Sequence, residues 1–266
     1  MKAKKIVHVK EEGAKVLLIG DMAGYGKISL GAIIPIMSHM GFNLYNLPTA
    51  LVSNTLDYGL FEILDTTDYM KNTVSEEQVK VVAEYCRSQQ AEGKRIFVDP
   101  IMGDDGVLYN GVEESTVGYM RQLCSVADIV MPNYTEATFL SGKYKDKEEV
   151  TDDQAVELVD ELRRLGSKSV VITSIVVDGK SCVYGYDSGK EEYFSIPFEY
   201  VPVQFPGTGD IFSALLVGSI LNGRGLQEST AFAMKTVRNL ILQNTDNVDK
   251  YKGIPIEKYL EEMTEF

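Results

Sequence analysis

The chain has 266 residues, with 39 Asp+Glu against 26 Lys+Arg and a net charge of −13. Its 44% hydrophobic and 24% charged residues are ordinary globular composition, which excludes whole-chain disorder and leaves room for a large core. The acidic balance argues against nucleic acid or an anionic membrane surface as partner, since both need clustered Lys and Arg.

Cysteine usage points to a compartment. Cys86, Cys124 and Cys182 are odd in number and widely spaced, with no CxxC. They read as small thiols in a reducing, cytoplasmic setting, not as a disulfide or zinc framework. Residues 1–15 are Lys-rich and lack an apolar signal core. No run approaches the ~20 apolar residues of a membrane span. The only histidines are His8 and His39, and His39 falls near the end of a helical pattern, so His-dependent chemistry is disfavoured.

In chain order, the apolar residues 16–20 predict a buried strand stopped by Gly20. A Gly-rich loop follows, then a helix over 28–40 ended by Gly41 and a strand over 43–47. Ser75 and Gln78 form a capping box that opens a helix running to about Gln90. Residues 95–98 read as a strand, 113–124 as a weaker helix, and 128–131 as another strand, after which Asn133 opens a short helix. Thr151 and Gln154 make a second capping box, followed by the apolar stripe Ala155, Leu158, Val159, Leu162 and Leu165. Residues 169–173 predict a strand, 181–186 and 192–197 an antiparallel hairpin, and 210–221 and 227–243 two helices.

Buried strands alternating with helices imply an α/β fold, a mostly parallel sheet covered on both faces. No linker or repeat interrupts it, so residues 1–266 read as a single domain. Ligands bind beyond the carboxyl ends of such strands. The loops there hold Asp21, Asp99, Asn133, Thr173 and residues 207–210.

Each motif admits a plain reading and a functional one. Residues 20–29, GDMAGYGKIS, fail both the phosphate-loop and the dinucleotide spacing, leaving a strand-to-helix turn or a substrate loop. In 205–212, FPGTGDIF, two glycines frame Thr208 before Asp210 at a helix start. Such a turn can be a simple cap, or an anion pocket of backbone N–H groups beside a carboxylate base. Asp99, Asp104 and Asp105 share one loop, either as a surface turn or as oxygen ligands for magnesium. Asn133 and Glu136 are three apart, a capping pair that also follows a strand end. For Thr49 the spacing assigns no chemistry.

Taken together, these segments resemble the ribokinase-like superfamily, and within it the pyridoxal/pyridoxamine kinases. The carriers are residues 205–214, the loop 99–104 with Tyr109, the segment 132–136, and Thr49 followed by Ser53-Asn54 and Tyr58-Gly59. The resemblance covers about residues 16–221 and implies a three-layer α/β/α ribokinase-like fold. It further implies that Asp210 deprotonates the substrate hydroxymethyl, while Gly207, Thr208 and Gly209 cradle the transferring phosphoryl group. Asp99, Asp104 and Glu136 would help hold Mg²⁺. Asn133, Thr173, Ser174 and Tyr109 would lie toward ATP, and Asp21 and Thr49 toward the pyridine ring. The implied cofactors are ATP and Mg²⁺, with a monovalent cation such as K⁺ in addition, and the implied assembly is a homodimer.

Three departures stand out. Asp21 replaces a small hydroxyl residue, and Lys27 stands where the family carries an aromatic or small residue. Tyr69–Thr73 runs almost directly into the helix at Ser75, where the family has a further strand and Gly turn. The expected activity is phosphorylation of the 5′-hydroxymethyl group of pyridoxal, pyridoxine or pyridoxamine. Hydroxymethylpyrimidine kinase activity and a non-catalytic vitamin- or nucleotide-binding protein are the alternatives.

Overall fold

The structure is a computed structural model and describes residues 14–53, 63–65 and 76–264. The Ser75 cap, residues 54–62 and the segment 69–73 lie outside the described residues. Strand β1 (Lys15–Ala23) pairs in parallel with β2 (Asn43–Val52), and β3 (Ile63–Asp65) adds antiparallel to β2. A second sheet contains β4 (Phe97–Val98), β7 (Ile129–Val130), β8 (Ser169–Val177), β9 (Lys180–Asp187) and β10 (Glu192–Pro197). Its order is β10-β9-β8-β7-β4, parallel from β4 to β8 and antiparallel through the expected hairpin. The strands β5 (Gly103–Asp104) and β6 (Val107–Leu108) form a small hairpin.

Seven helices are described: α1 (Leu30–His39), α2 (Glu76–Ala91), α3 (Ser115–Cys124), α4 (Tyr134–Ser141), α5 (Asp152–Arg164), α6 (Thr208–Leu221) and α7 (Leu226–Gln243). Side chains alternate across a strand, and β8 shows where they go. Val170 and Ile172 join the apolar cluster built with α3, α4 and α5, whereas Val171 joins the cluster built with α1, α6 and α7. Both faces of β8 are therefore covered, which is why its sequence is a continuous apolar run. This is the expected α/β/α layering, with parallel strands at the centre and antiparallel strands at the margins.

Local chemistry sets the helix starts. Thr151 and Asn133 make reciprocal capping boxes with Gln154 and Glu136. Helix α6 begins at Thr208, two residues before the expected start, so Asp210 lies inside the first turn instead of capping it. Helix α6 is apolar nearly all round, with Ile211, Phe212, Ala214, Leu215, Leu216 and Ile220 all buried, as befits a helix packed on several sides. His39 ends α1 and is exposed, and Cys86, Cys124 and Cys182 are free thiols. Among the described residues no helix is long and apolar enough to cross a membrane.

Among the described residues the strands fall into two larger sheets. Strand β1 ends one sheet and β4 ends the other, and no described strand joins them. Leu17 and Ile19 of β1 are 41% and 36% exposed, against 0% for Val170 and Ile172 of β8.

Candidate active site

The first turn of α6 is built around a glycine that cannot be replaced without strain. Gly207 caps the helix with φ +85°, and a Cβ there would stand 2.1 Å from the Lys27 carbonyl oxygen. Only glycine combines that φ with that approach. Thr208 turns its hydroxyl inward, donating to the Phe205 carbonyl at 3.1 Å. Gly209 is different, because a Cβ added to it meets nothing within 4 Å. Packing within the described residues does not demand glycine there, and the space beside its Cα at the start of α6 is open. The N–H groups of a helix's first turn lack intrahelical partners and attract anions.

Asp210 lies beside that opening. Its Oδ2 accepts the Ser29 backbone N–H at 2.7 Å, while its Oδ1 is buried and has no hydrogen-bond partner. Burial pushes the carboxyl up to about 7, against the opposing effect of the Ser29 N–H, and the charges of Asp99 and Asp21 push the same way as burial. Ser29 is itself held at φ +45° as the cap of α1. One carboxylate oxygen is thus anchored and the other is left without a partner.

Asp99 follows β4 and accepts a hydrogen bond from the Ser213 hydroxyl at 2.7 Å. Burial raises its carboxyl to about 6. Glu136 is buried, with Oε1 accepting from Met102 N–H at 3.0 Å and Oε2 from Asn133 N–H at 2.9 Å. Burial first, and the Asp99 charge second, hold it well above the usual carboxylate range. Asn133 returns the cap by accepting from Glu136 N–H at 2.9 Å, and it donates to the Gly103 carbonyl at 2.8 Å.

The remaining candidates fall on the rim. Asp104 is exposed on the β5–β6 hairpin, where it accepts its neighbour's N–H, and Thr135 holds that hairpin through Gly106 N–H at 2.8 Å. Tyr109 follows the hairpin, its N–H donating to the Met102 carbonyl at 2.9 Å. Thr173 bridges to Asn133 across the strand ends. Ser174 is exposed with φ +54° at a register break in β8. Asp21 and Thr49 meet at a second break, where the pairing jumps from Gly20–Pro48 to Met22–Leu51. Two residues of β2 there oppose the single Asp21, a bulge that re-aims side chains.

Asp99, Asp104 and Glu136 are the acids expected to hold the metal. Among the described residues no three His, Cys, Asp or Glu side chains converge to cage an ion, and Asp104 stands apart from the other two acids. Asp99 and Glu136 do form a mutually repelling pair. No described Lys or Arg is ion-paired with either of them. An oxygen-only pair of this kind fits Mg²⁺, which takes one or two carboxylates and completes its shell with water and phosphate oxygens.

Sequence reasoning missed Ser29 and Ser213. Ser213 lies three residues after Asp210 and so shares its helix face, a spacing that could have revealed it. Ser29 acts through its main chain, which leaves no signature in residue type. Lys27, a cation of the same loop, is ion-paired with Glu257.

Residues 21–256 match the phosphomethylpyrimidine kinase family. The chain belongs to that family. A Schizosaccharomyces pombe protein provisionally named a pyridoxal kinase is 31% identical over 198 residues, 68% of this chain and 62% of its own length. An Arabidopsis thaliana pyridoxal kinase is 33% identical over 168 residues, 61% of this chain and 53% of its own. The chain thus spans between half and two thirds of those two curated relatives. A Bacteroides thetaiotaomicron protein, provisionally named a phosphomethylpyrimidine kinase and crystallised with pyridoxal, has 30% identity and a TM-score of 0.88. That likeness covers 95% of this chain and 96% of the Bacteroides chain. The phosphomethylpyrimidine kinase family thus meets the ribokinase-like expectation drawn from the motifs, and these relatives meet its pyridoxal-kinase side.

Proposed function

We propose that this chain is an ATP- and Mg²⁺-dependent kinase that phosphorylates the 5′-hydroxymethyl group of a B6 vitamer, acting as a single domain and as a cytoplasmic homodimer. The observation that carries the reading is Asp210, a buried carboxylate with one oxygen anchored and the other unpartnered, beside an open helix N-terminus. With its carboxyl at about 7, Asp210 is substantially ionised at neutral pH and basic enough to take a hydroxyl proton as the new bond forms.

In this reading the N–H groups at the start of α6 receive the charge that builds on the transferring phosphoryl group. Gly209 carries no side chain, and that lets the phosphoryl group approach the backbone. Asp99 and Glu136 would hold Mg²⁺, which neutralises phosphate charge when bound. Asn133, Thr173, Ser174 and Tyr109 border the nucleotide side, and Asp21 and Thr49 the acceptor side. In-line phosphoryl transfer needs positioning and charge neutralisation more than covalent chemistry, and the arrangement offers both.

The test is Asp210→Ala in purified protein with ATP, Mg²⁺ and pyridoxal, pyridoxine or pyridoxamine, read by product mass. Turnover should disappear while ATP binding stays. Retained turnover would overturn the base assignment, and ATP consumption without a phosphorylated vitamer would favour a binding protein. Hydroxymethylpyrimidine and its phosphate are the second acceptors to include, since the family's description names a phosphomethylpyrimidine.

A further inference from the structure

The acceptor side of the site carries negative charge with no described partner. Asp21 stands at the β1 bulge, next to Gly20, whose Cβ position is 3.3 Å from the Ser29 hydroxyl. Ser29 is the residue that anchors Asp210. Among the described residues Asp21 takes part in no hydrogen bond or ion pair, and it is close enough to Asp210 to act on it electrostatically. The nearest loop cation, Lys27, is engaged with Glu257. The Oδ1 of Asp210 is buried and has no hydrogen-bond partner, which leaves an acceptor for a ligand polar group.

We infer that Asp21 is a specificity-determining residue that filters acceptors by charge. It admits an unphosphorylated hydroxymethyl heteroaromatic, favours one bearing a cationic nitrogen, and rejects one that already carries a phosphate. The inference rests on the kinase reading above and narrows its substrate class. Two carboxylates near enough to act on one another repel an incoming anion and attract a cation, and partial burial lowers the screening that would mask this in water. A phosphorylated acceptor would bring about −2 charge toward Asp210. The family's described activity acts on such a phosphomethyl compound. Asp21 therefore separates this chain's acceptor from the one in the family's description.

The experiment compares kcat/KM for the wild type, Asp21→Asn, Asp21→Ser and Asp21→Glu with three acceptors. These are pyridoxamine (an ammonium), pyridoxine (neutral) and hydroxymethylpyrimidine phosphate (a dianion). The wild type should leave the phosphorylated acceptor essentially unused. In Asp21→Asn and Asp21→Ser the pyridoxamine-to-pyridoxine ratio should fall about ten-fold, and use of the phosphorylated acceptor should rise about ten-fold or more. Asp21→Glu should retain the wild-type ratios. A loss of packing alone would slow all acceptors together and leave the ratios unmoved. Ratios unchanged within about two-fold, or a wild type that uses the phosphorylated acceptor as well as the others, would overturn the filter. If the wild type phosphorylates none of the three, the kinase reading has failed. Calorimetric affinities for pyridoxamine and pyridoxine then still decide the filter by the same ratio.

Discussion

Replacing Asp210 by Asn should abolish turnover and stabilise the protein at alkaline pH. The folded carboxyl is raised from 3.8 to about 7, chiefly by burial. A raised acid holds its proton longer in the folded state. Its stabilising effect is therefore complete below the unfolded value and is lost as pH climbs through the folded value. A rise of about three units corresponds to about 4 kcal/mol lost by pH 8. Asn keeps an acceptor for the Ser29 N–H but places a donor where Oδ1 has no partner, which returns about 1–3 kcal/mol. The net expectation is an apo variant more stable than the wild type by about 1–3 kcal/mol at pH 8 and less stable by about 0.5–2.5 kcal/mol at about pH 4, since Asn does not titrate. Urea denaturation at the two pH values measures this directly, alongside a loss of kcat of at least about a thousand-fold. An Asn variant no more stable than the wild type at pH 8, or equally shifted at both pH values, would show that Asp210 is not held under strain by burial.

Three further outcomes follow from the same geometry. The logarithm of kcat/KM should fall toward unit slope as pH drops below about 7, giving about a five-fold loss between pH 7 and pH 6 and about ten-fold for the next unit, and a profile flat to pH 5 would contradict a base at the value assigned to Asp210. Gly207→Ala should cost at least about 3 kcal/mol in thermal or urea unfolding and lower kcat as well, because a left-handed alanine must also push the Lys27 carbonyl aside. Glu136→Gln leaves one acceptor for two backbone N–H groups and halves the charge of the Asp99–Glu136 pair, so the Mg²⁺ needed for half-maximal rate should rise at least about ten-fold.

The layered fold was legible because its signals are local and repeated. The apolar run of β8 and the stripe of α5 announce two-sided and one-sided burial, and both capping boxes at described positions form with both hydrogen bonds. The strand ends single out Asp99, Asn133 and Thr173 as neighbours, and in the structure Asn133 and Thr173 bridge. What could not be read was main-chain work. The Ser29 N–H, the Lys27 carbonyl against Gly207 and the bulge at Asp21 are backbone geometry, encoded by tertiary context and not by residue type. The distance of Asp104 from the Asp99–Glu136 pair is another case. Three acids in one loop look equivalent in sequence, but the hairpin turns Asp104 outward.

The break between β1 and β4 also partitions the site. Asp21 and Thr49 belong to the sheet of β1 and β2, and Asp99, Asn133 and Thr173 to the strands and strand ends of the other. No backbone ladder among the described residues crosses the seam, so the two portions can open with different free energies. Amides of β1 should exchange with deuterium sooner than those of β8. An acceptor held against Asp21 while its hydroxyl meets Asp210 would then act as a cross-brace, slowing exchange in β1 more than in β8.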